Sequence, residues 1–259
     1  MLDSRILTEN GVNLEKSLEL FGDMETYNET LSDFLTDVDS KLNEIKKCKE
    51  AADMANYAIY VHSLKSDARY FGFDKLADLA YNHEMESKSN NMYYVSENYD
   101  ELMEEAKRII ELVTEYLGVE VSTDSFLETK TVVDADKIFL VVDDSNIIAN
   151  FVTNILDDNY GVIVAKDGAE AIDKLANMNE KLVGMFLDVN MPNVNGYDVL
   201  KFMQTNNFFK SISVAIITGT NSKEVLENIK GYPVVALLEK PFNENSVRKV
   251  VDMLLKKNN

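Results

Sequence analysis

The 259-residue sequence is 46% apolar with only 3 prolines, which fits one or two well-buried domains and excludes a disordered chain. Its 45 acidic against 26 basic side chains give a net charge of −19, which repels phosphate backbones and argues against nucleic-acid binding. A single cysteine, Cys48, excludes an intramolecular disulfide, and no apolar run approaches the ~20 residues of a membrane span.

The N-terminus has no basic region followed by an apolar core, so a cytoplasmic protein without membrane insertion is expected. The first half reads as helices only. A short segment, Val12–Phe21, opens it. From Met24 to Cys48 the residues Tyr27, Leu31, Phe34, Val38, Leu42 and Ile45 recur at three and four, one face of a helix. Ala51 to Phe71 repeats the pattern with Met54, Tyr57, Val61, Leu64, Ala68 and Phe71. Gly72 reads as its C-terminal cap and Asp74 as the next N-cap. Two more helices follow, about Asp74–Ser89 and Glu97–Leu117, closed by Gly118. Short connections favour an antiparallel four-helix bundle over residues 1–118. This half holds 25 acidic and 12 basic side chains, read as solvated helix faces.

Residues 119–136 show no sustained period and read as a linker. Residues 137–259 then alternate strand and helix. Ile138–Val142, Val162–Ala165, Val183–Leu187, Val214–Thr218 and Val234–Leu238 are short runs rich in β-branched residues. Five repeats of that alternation predict an α/β doubly wound, five-stranded parallel sheet covered on both faces.

The chemistry collects at the strand ends. Asp143-Asp144 ends the first strand, Asp188 the third, Thr218 the fourth and Lys240-Pro241 follows the fifth. The carboxyl ends of parallel strands converge on one crevice. Clustered carboxylates hold a hard cation such as Mg²⁺, while a hydroxyl and an ammonium hold phosphoryl oxygens. That is a site for moving a phosphoryl group onto an aspartate.

Residues 137–257 resemble a response-regulator receiver domain through VVDDS at 141–145, LDVNMPNVNG at 187–196, the TG at 218–219 and KPF at 240–242. The resemblance implies strand order 2-1-3-4-5 and Asp188 as phosphoacceptor. It implies Mg²⁺ on Asp144 and Asp188, with Asp143 acting through water and the Asn190 backbone carbonyl completing the ligands. Thr218 and Lys240 would each take a phosphoryl oxygen, with Pro241 aiming the lysine loop and Gly196 easing the turn. One position departs: receivers usually carry Tyr or Phe three residues before the lysine, and here stands Leu237, which packs but offers no ring edge or hydroxyl.

In the bundle, His62, Lys65 and Arg69 share a polar stripe roughly 120° from the core stripe at ~100° per residue, so His62 is expected exposed beside two cations. Such a histidine suits a nucleophile meeting an anionic phosphoryl group. HSLKSDARYFGF at 62–73 resembles the histidine-containing phosphotransfer domain. The resemblance implies His62 as the phosphorylated residue and Lys65 as its helper, with Ser66 where the family often has Gly. His83 reads as a partly packed or surface histidine without a metal role.

The two resemblances together imply a two-component phosphorelay protein, exchanging phosphoryl groups through His62 and Asp188. Neither GxxxxGK[ST] nor a strand-linked GxGxxG occurs, so no self-phosphorylation from ATP is expected and the chain is read as an intermediate, not an enzyme. The expected partners are an upstream histidine kinase, other receiver domains, or both. Two alternatives stand beside this reading: a haloacid-dehalogenase-like phosphatase, whose second acid would occupy the place of Asn190, and a docking module that transfers nothing.

Overall fold

The computed structural model describes residues 2–118, 137–156, 159–178, 182–219 and 222–257. The chain divides into two compact units, Met1–Glu128 and Thr129–Asn259. The stretch read as a linker, 119–136, lies outside the described residues.

The first unit is helical: α1 Arg5–Glu9, α2 Leu14–Phe21, α3 Met24–Glu50, α4 Met54–Tyr70, α5 Asp74–Lys88 and α6 Met92–Leu117. Side-chain caps set the starts. Asp23 accepts from the Thr26 N–H, Asp53 from Asn56 and Asn91 from Tyr94. Asp74 is the first helical residue of α5, so Phe73 and not Asp74 holds the N-cap position. Each of α3 to α6 packs on the next and α6 closes on α3, while α2 lies on α3 and α4. The predicted stripe of α3 is buried, and Phe21, Phe34, Phe71 and Phe73 form one aromatic cluster with Tyr27. Each such ring contributes ~2–3 kcal/mol of apolar burial.

Gly72, at φ +73°, sits where no side chain fits. A Cβ there would lie 2.4 Å from the Asn13 carbonyl oxygen. The Asn13 N–H donates to the Gly72 carbonyl at 2.9 Å, tying the α4–α5 turn to the start of α2.

The second unit alternates β1 Ile138–Val142, α7 Asn146–Leu156, β2 Gly161–Ala165, α8 Gly168–Met178, β3 Leu182–Asp188, α9 Gly196–Thr205, β4 Ser213–Thr218, α10 Ser222–Asn228, β5 Ala236–Glu239 and α11 Glu244–Lys257. The strands are parallel in the order β2-β1-β3-β4-β5. Leu140, Val142, Met185 and Leu187 pack with residues of α8, α9 and α10 on one face. The alternate face takes α7 and α11. There Gly184 leaves space for a ring: a Cβ on it would lie 2.5 Å from Phe139 Cε1. Burial on both faces is what makes the strands read as near-continuous apolar runs.

Candidate functional site

In the second unit the sheet delivers its polar groups to one place. β1 runs into Asp143-Asp144, β3 ends on Asp188 and β4 on Thr218. Parallel pairing of neighbouring strands brings these ends level. Ligand atoms of Asp143, Asp144 and Asp188 all lie within 4.8 Å of one another. The Lys240 ammonium lies 2.8 Å from Asp143 Oδ2 and 2.5 Å from Asp188 Oδ2. The Asn190 N–H donates to Asp188 Oδ1 at 2.7 Å, and the Ser145 N–H to Asp143 Oδ1 at 3.0 Å. Thr218 is buried, and its carbonyl accepts from the Lys240 N–H at 2.7 Å. The Lys240–Pro241 bond is cis. Gly196 packs so closely that a Cβ would lie 2.3 Å from the Asp188 carbonyl oxygen.

The electrostatics follow from three acids sharing one ammonium. Burial pushes the Asp143 carboxyl up to about 8, with Lys240 opposing and Asp188 and Asp144 adding to the rise. Burial alone would lower the Lys240 ammonium, but Asp143 and Asp188 outweigh it and hold it well above an ordinary lysine. Close-set oxygen donors with one lysine against three acids are the donor set a hard divalent cation takes, so these residues fit Mg²⁺.

In the first unit the expectations for both histidines fail. His62 and Lys65 do not lie on a solvent face: His62 is 3% exposed and Lys65 0%. Every residue from Val61 to Ala68 is buried, Ser66 included. The physical reason is a buried acid across the helix pair. Glu84 of α5 sits on the same inward face as Leu76, Ala77 and Ala80, and it draws the polar stripe of α4 toward it. His62 Nδ1 lies 2.8 Å from Glu84 Oε1, and Lys65 Nζ donates to Glu84 Oε2 at 2.5 Å. Lys88 Nζ reaches Glu84 Oε1 at 2.7 Å from its half-exposed position. Burial raises the Glu84 carboxyl, but the His62 and Lys65 contacts outweigh it and hold the group well below the usual carboxylate range. Burial pushes the Lys65 ammonium down to about 8, with Glu84 opposing.

His83 is fully buried, not partly packed or at the surface. Its Nδ1 meets the Tyr57 hydroxyl at 2.8 Å and its Nε2 the Asn98 carbonyl at 3.2 Å. A carbonyl only accepts, so Nε2 carries the proton and Tyr57 donates to Nδ1. Both ring nitrogens are thereby used, and burial lowers the ring's pKa. Glu84 and Lys88 were missed in the sequence. The available signal was an acid falling on the 76–80–84 apolar stripe of a helix, where an unpaired charge is costly.

Comparison with known proteins finds a known domain in each unit. The response regulator receiver domain matches residues 139–252, and the Hpt domain matches residues 29–114. Chemotaxis protein CheY1 of Helicobacter pylori (strain J99) is 34% identical over 120 residues, 45% of this chain and 94% of that protein. The CAI-1 autoinducer sensor kinase/phosphatase CqsS of Vibrio cholerae is 30% identical over 108 residues, 41% of this chain and 16% of that protein. A solved structure of Vibrio cholerae chemotaxis protein CheY4 covers 47% of this chain and 100% of its own, at 30% identity and TM-score 0.43.

Proposed function

We propose, for a chain that belongs to the response regulator receiver family through residues 139–252 and carries an Hpt domain at 29–114, that His62 and Asp188 are the two phosphoryl-carrying residues of a two-component phosphorelay protein. The observation that carries this is the receiver crevice: three carboxylates within 4.8 Å and an ammonium bridging Asp143 to Asp188.

Asp188 Oδ accepts the phosphoryl group. Lys240, already against that carboxylate, and the Thr218 hydroxyl take phosphoryl oxygens as charge develops. Asp143, Asp144, Asp188 and the Asn190 backbone carbonyl would hold Mg²⁺, which when bound supplies positive charge to the phosphoryl oxygens. In the bundle, Lys65 Nζ donates to Glu84 Oε2 at 2.5 Å and stands 3.2 Å from His62 Nδ1, and in the proposed state His62 Nδ1–H donates to Glu84 Oε1, which also accepts from Lys88. Nε2 then carries the lone pair that bonds phosphorus. When the Nε2–P bond breaks and the Asp188 Oδ–P bond forms, the electron pair returns to Nε2. The ring leaves as neutral imidazole, its proton still on Nδ1 and hydrogen-bonded to Glu84 Oε1. Lys65 stabilises the phosphoryl charge.

Donors and acceptors are histidine kinases or other receiver domains, and the chain relays phosphate without binding ATP. No described helix is long and apolar enough to cross a membrane, and we place the relay inside the cell with its kinase. A phosphatase of the haloacid-dehalogenase kind is disfavoured by Asn190, which lacks the acid such a mechanism uses two residues after its nucleophile. The docking-module reading leans on Leu237, which lies half-buried in β5 against the apolar core. A phosphotransfer time course with a donor kinase, comparing His62→Gln, Asp188→Asn and wild type, tests the proposal. Each variant should lose one label, and unchanged labelling of both would sink it.

A further inference from the structure

Two loops carry the acids of the receiver crevice, and both lean on a third that carries none. The β2–α8 turn runs from Ala165 to Gly168. At its start, the Ala165 carbonyl accepts from the Asp143 N–H at 3.2 Å. At its end, the Gly168 N–H donates to the Val194 carbonyl at 3.1 Å. Val194 belongs to the loop between Asp188 and Gly196. One short turn therefore touches the backbone of both acid-bearing loops.

The second contact leaves no room. A Cβ on Gly168 would lie 2.4 Å from Val194 O, 2.7 Å from Val194 Cγ1 and 2.9 Å from Val194 C. Two of those atoms are backbone, so an added methyl must move a loop or a helix end.

The helix end is fixed. Asp167 Oδ1 accepts from the Glu170 N–H at 2.8 Å, and Glu170 Oε2 accepts from the Lys166 N–H at 2.8 Å. This reciprocal cap holds the first turn of α8 while Ala171 and Leu175 anchor it in the core. The loop has little slack of its own. Met191 and Pro192 are buried, and the Gly196 N–H donates to the Val189 carbonyl at 3.3 Å. Asn193, directly before Val194, already adopts φ 63°. A displacement at Val194 is thus passed along eight residues closed at both ends, toward Asn190 and the Asp188 carboxylate that its N–H holds.

We propose that Gly168 is a positioning residue for the divalent-cation site, setting the spacing of the Asp143–Asp144 loop and the Asp188–Asn190 loop through the β2–α8 turn. The inference rests on the reading of the crevice as a Mg²⁺ site. Its absent side chain acts like an outer-shell partner of a metal ligand, whose loss costs about 10–100-fold in affinity.

The test is a Mg²⁺ titration of the full chain, followed by backbone amide NMR shifts, which also report that each variant is folded. Gly168→Ala should weaken Mg²⁺ binding about tenfold or more. Gly184→Ala provides a matched clash against Phe139 on the α7–α11 face, and it should lose stability yet keep the wild-type affinity. Should Gly168→Ala not fold, Asp167→Ala frees the α8 cap without a clash and should still weaken binding, by about threefold. Affinity of folded Gly168→Ala within about twofold of wild type overturns the proposal, as does an equal loss in Gly184→Ala. In the fallback case, unchanged binding by Asp167→Ala overturns it. Asp144→Asn separates the two readings. A wild-type chain that shows no Mg²⁺-dependent shifts, or shifts retained in Asp144→Asn, overturns the metal reading and the role of Gly168 with it.

Discussion

The bundle and the receiver solve one electrostatic problem with opposite signs. In the bundle, one buried acid, Glu84, faces His62, Lys65 and Lys88. In the receiver, one buried ammonium, Lys240, faces Asp143, Asp188 and their neighbour Asp144. A phosphoryl group is an anion. The bundle site is rich in cations and can take it directly. The receiver site is rich in anions, and under the proposed function a divalent cation would offset them first. The two sites therefore differ in the charge they present to a phosphoryl group, although both keep their key groups out of water.

The largest expected effect removes one end at a time. Asp188→Asn should abolish labelling of the receiver by acetyl phosphate with Mg²⁺, read by mass spectrometry. His62→Gln should abolish acid-labile labelling of the bundle by a competent donor, while His83→Gln leaves it, since both His83 nitrogens are already engaged. A signal that follows His83 would dissolve the comparison at its root.

Next comes the counter-charge. Glu84→Ala leaves Lys65 in a fully buried place without its acid, and should cost about 3 kcal/mol of bundle stability in urea unfolding. A loss below about 1 kcal/mol would show that the buried network is not what holds α4 to α5.

Acidity should then move the two units in opposite directions. His83 and Glu84 have lowered pKa values. Stability from His83 is present above its ordinary 6.5 and falls away as pH drops below it, and that from Glu84 is lost below 4.5. Asp143 is raised from 3.8 to about 8, so without divalent cation the folded receiver keeps a proton that the unfolded chain has lost. Its contribution is present at low pH and falls as pH rises from about 4 to 8. Going from about pH 8 to pH 5 in chelator, peptide-resolved hydrogen-exchange protection, corrected for the intrinsic rate at each pH, should fall in the bundle and rise in the receiver. Parallel drift of both would break the comparison. The smallest effect belongs to Lys88→Ala, which removes a half-exposed partner of Glu84 and should cost under about 1 kcal/mol by thermal unfolding.

The difference between the two regions also governs how far each was legible in the sequence. The receiver acids, Thr218 and Lys240 were readable because a parallel sheet sends every strand end to one edge, whatever the side-chain packing. Strand bounds came within about two residues. β5 begins at Ala236 and not Val234 because its start is set by pairing with Ala215, which an apolar run alone does not reveal. In the bundle, periodicity found the α4 core stripe but took the opposite polar stripe for solvent. What lies over a helix face depends on a neighbour 22 residues away, Glu84, and spacing within one helix carries no information about it. Arg5–Glu9 was missed because five residues show no period. The first turn of α6 was missed because MYYV does not alternate like the residues after it, although Asn91 caps it.

Gly72 gives the bundle site a further property, an intolerance of changed length. His62 and Glu84 meet only because α4 and α5 leave their shared turn in one rotational phase, and that turn is pinned to Asn13 with no space for a side chain. One residue inserted after Gly72 would rotate α5 by about 100° about its axis. Glu84 would swing off His62 while every side chain of the network stayed in the sequence. The His62–Glu84 network of this unit is thus encoded in a count of residues as much as in their kinds.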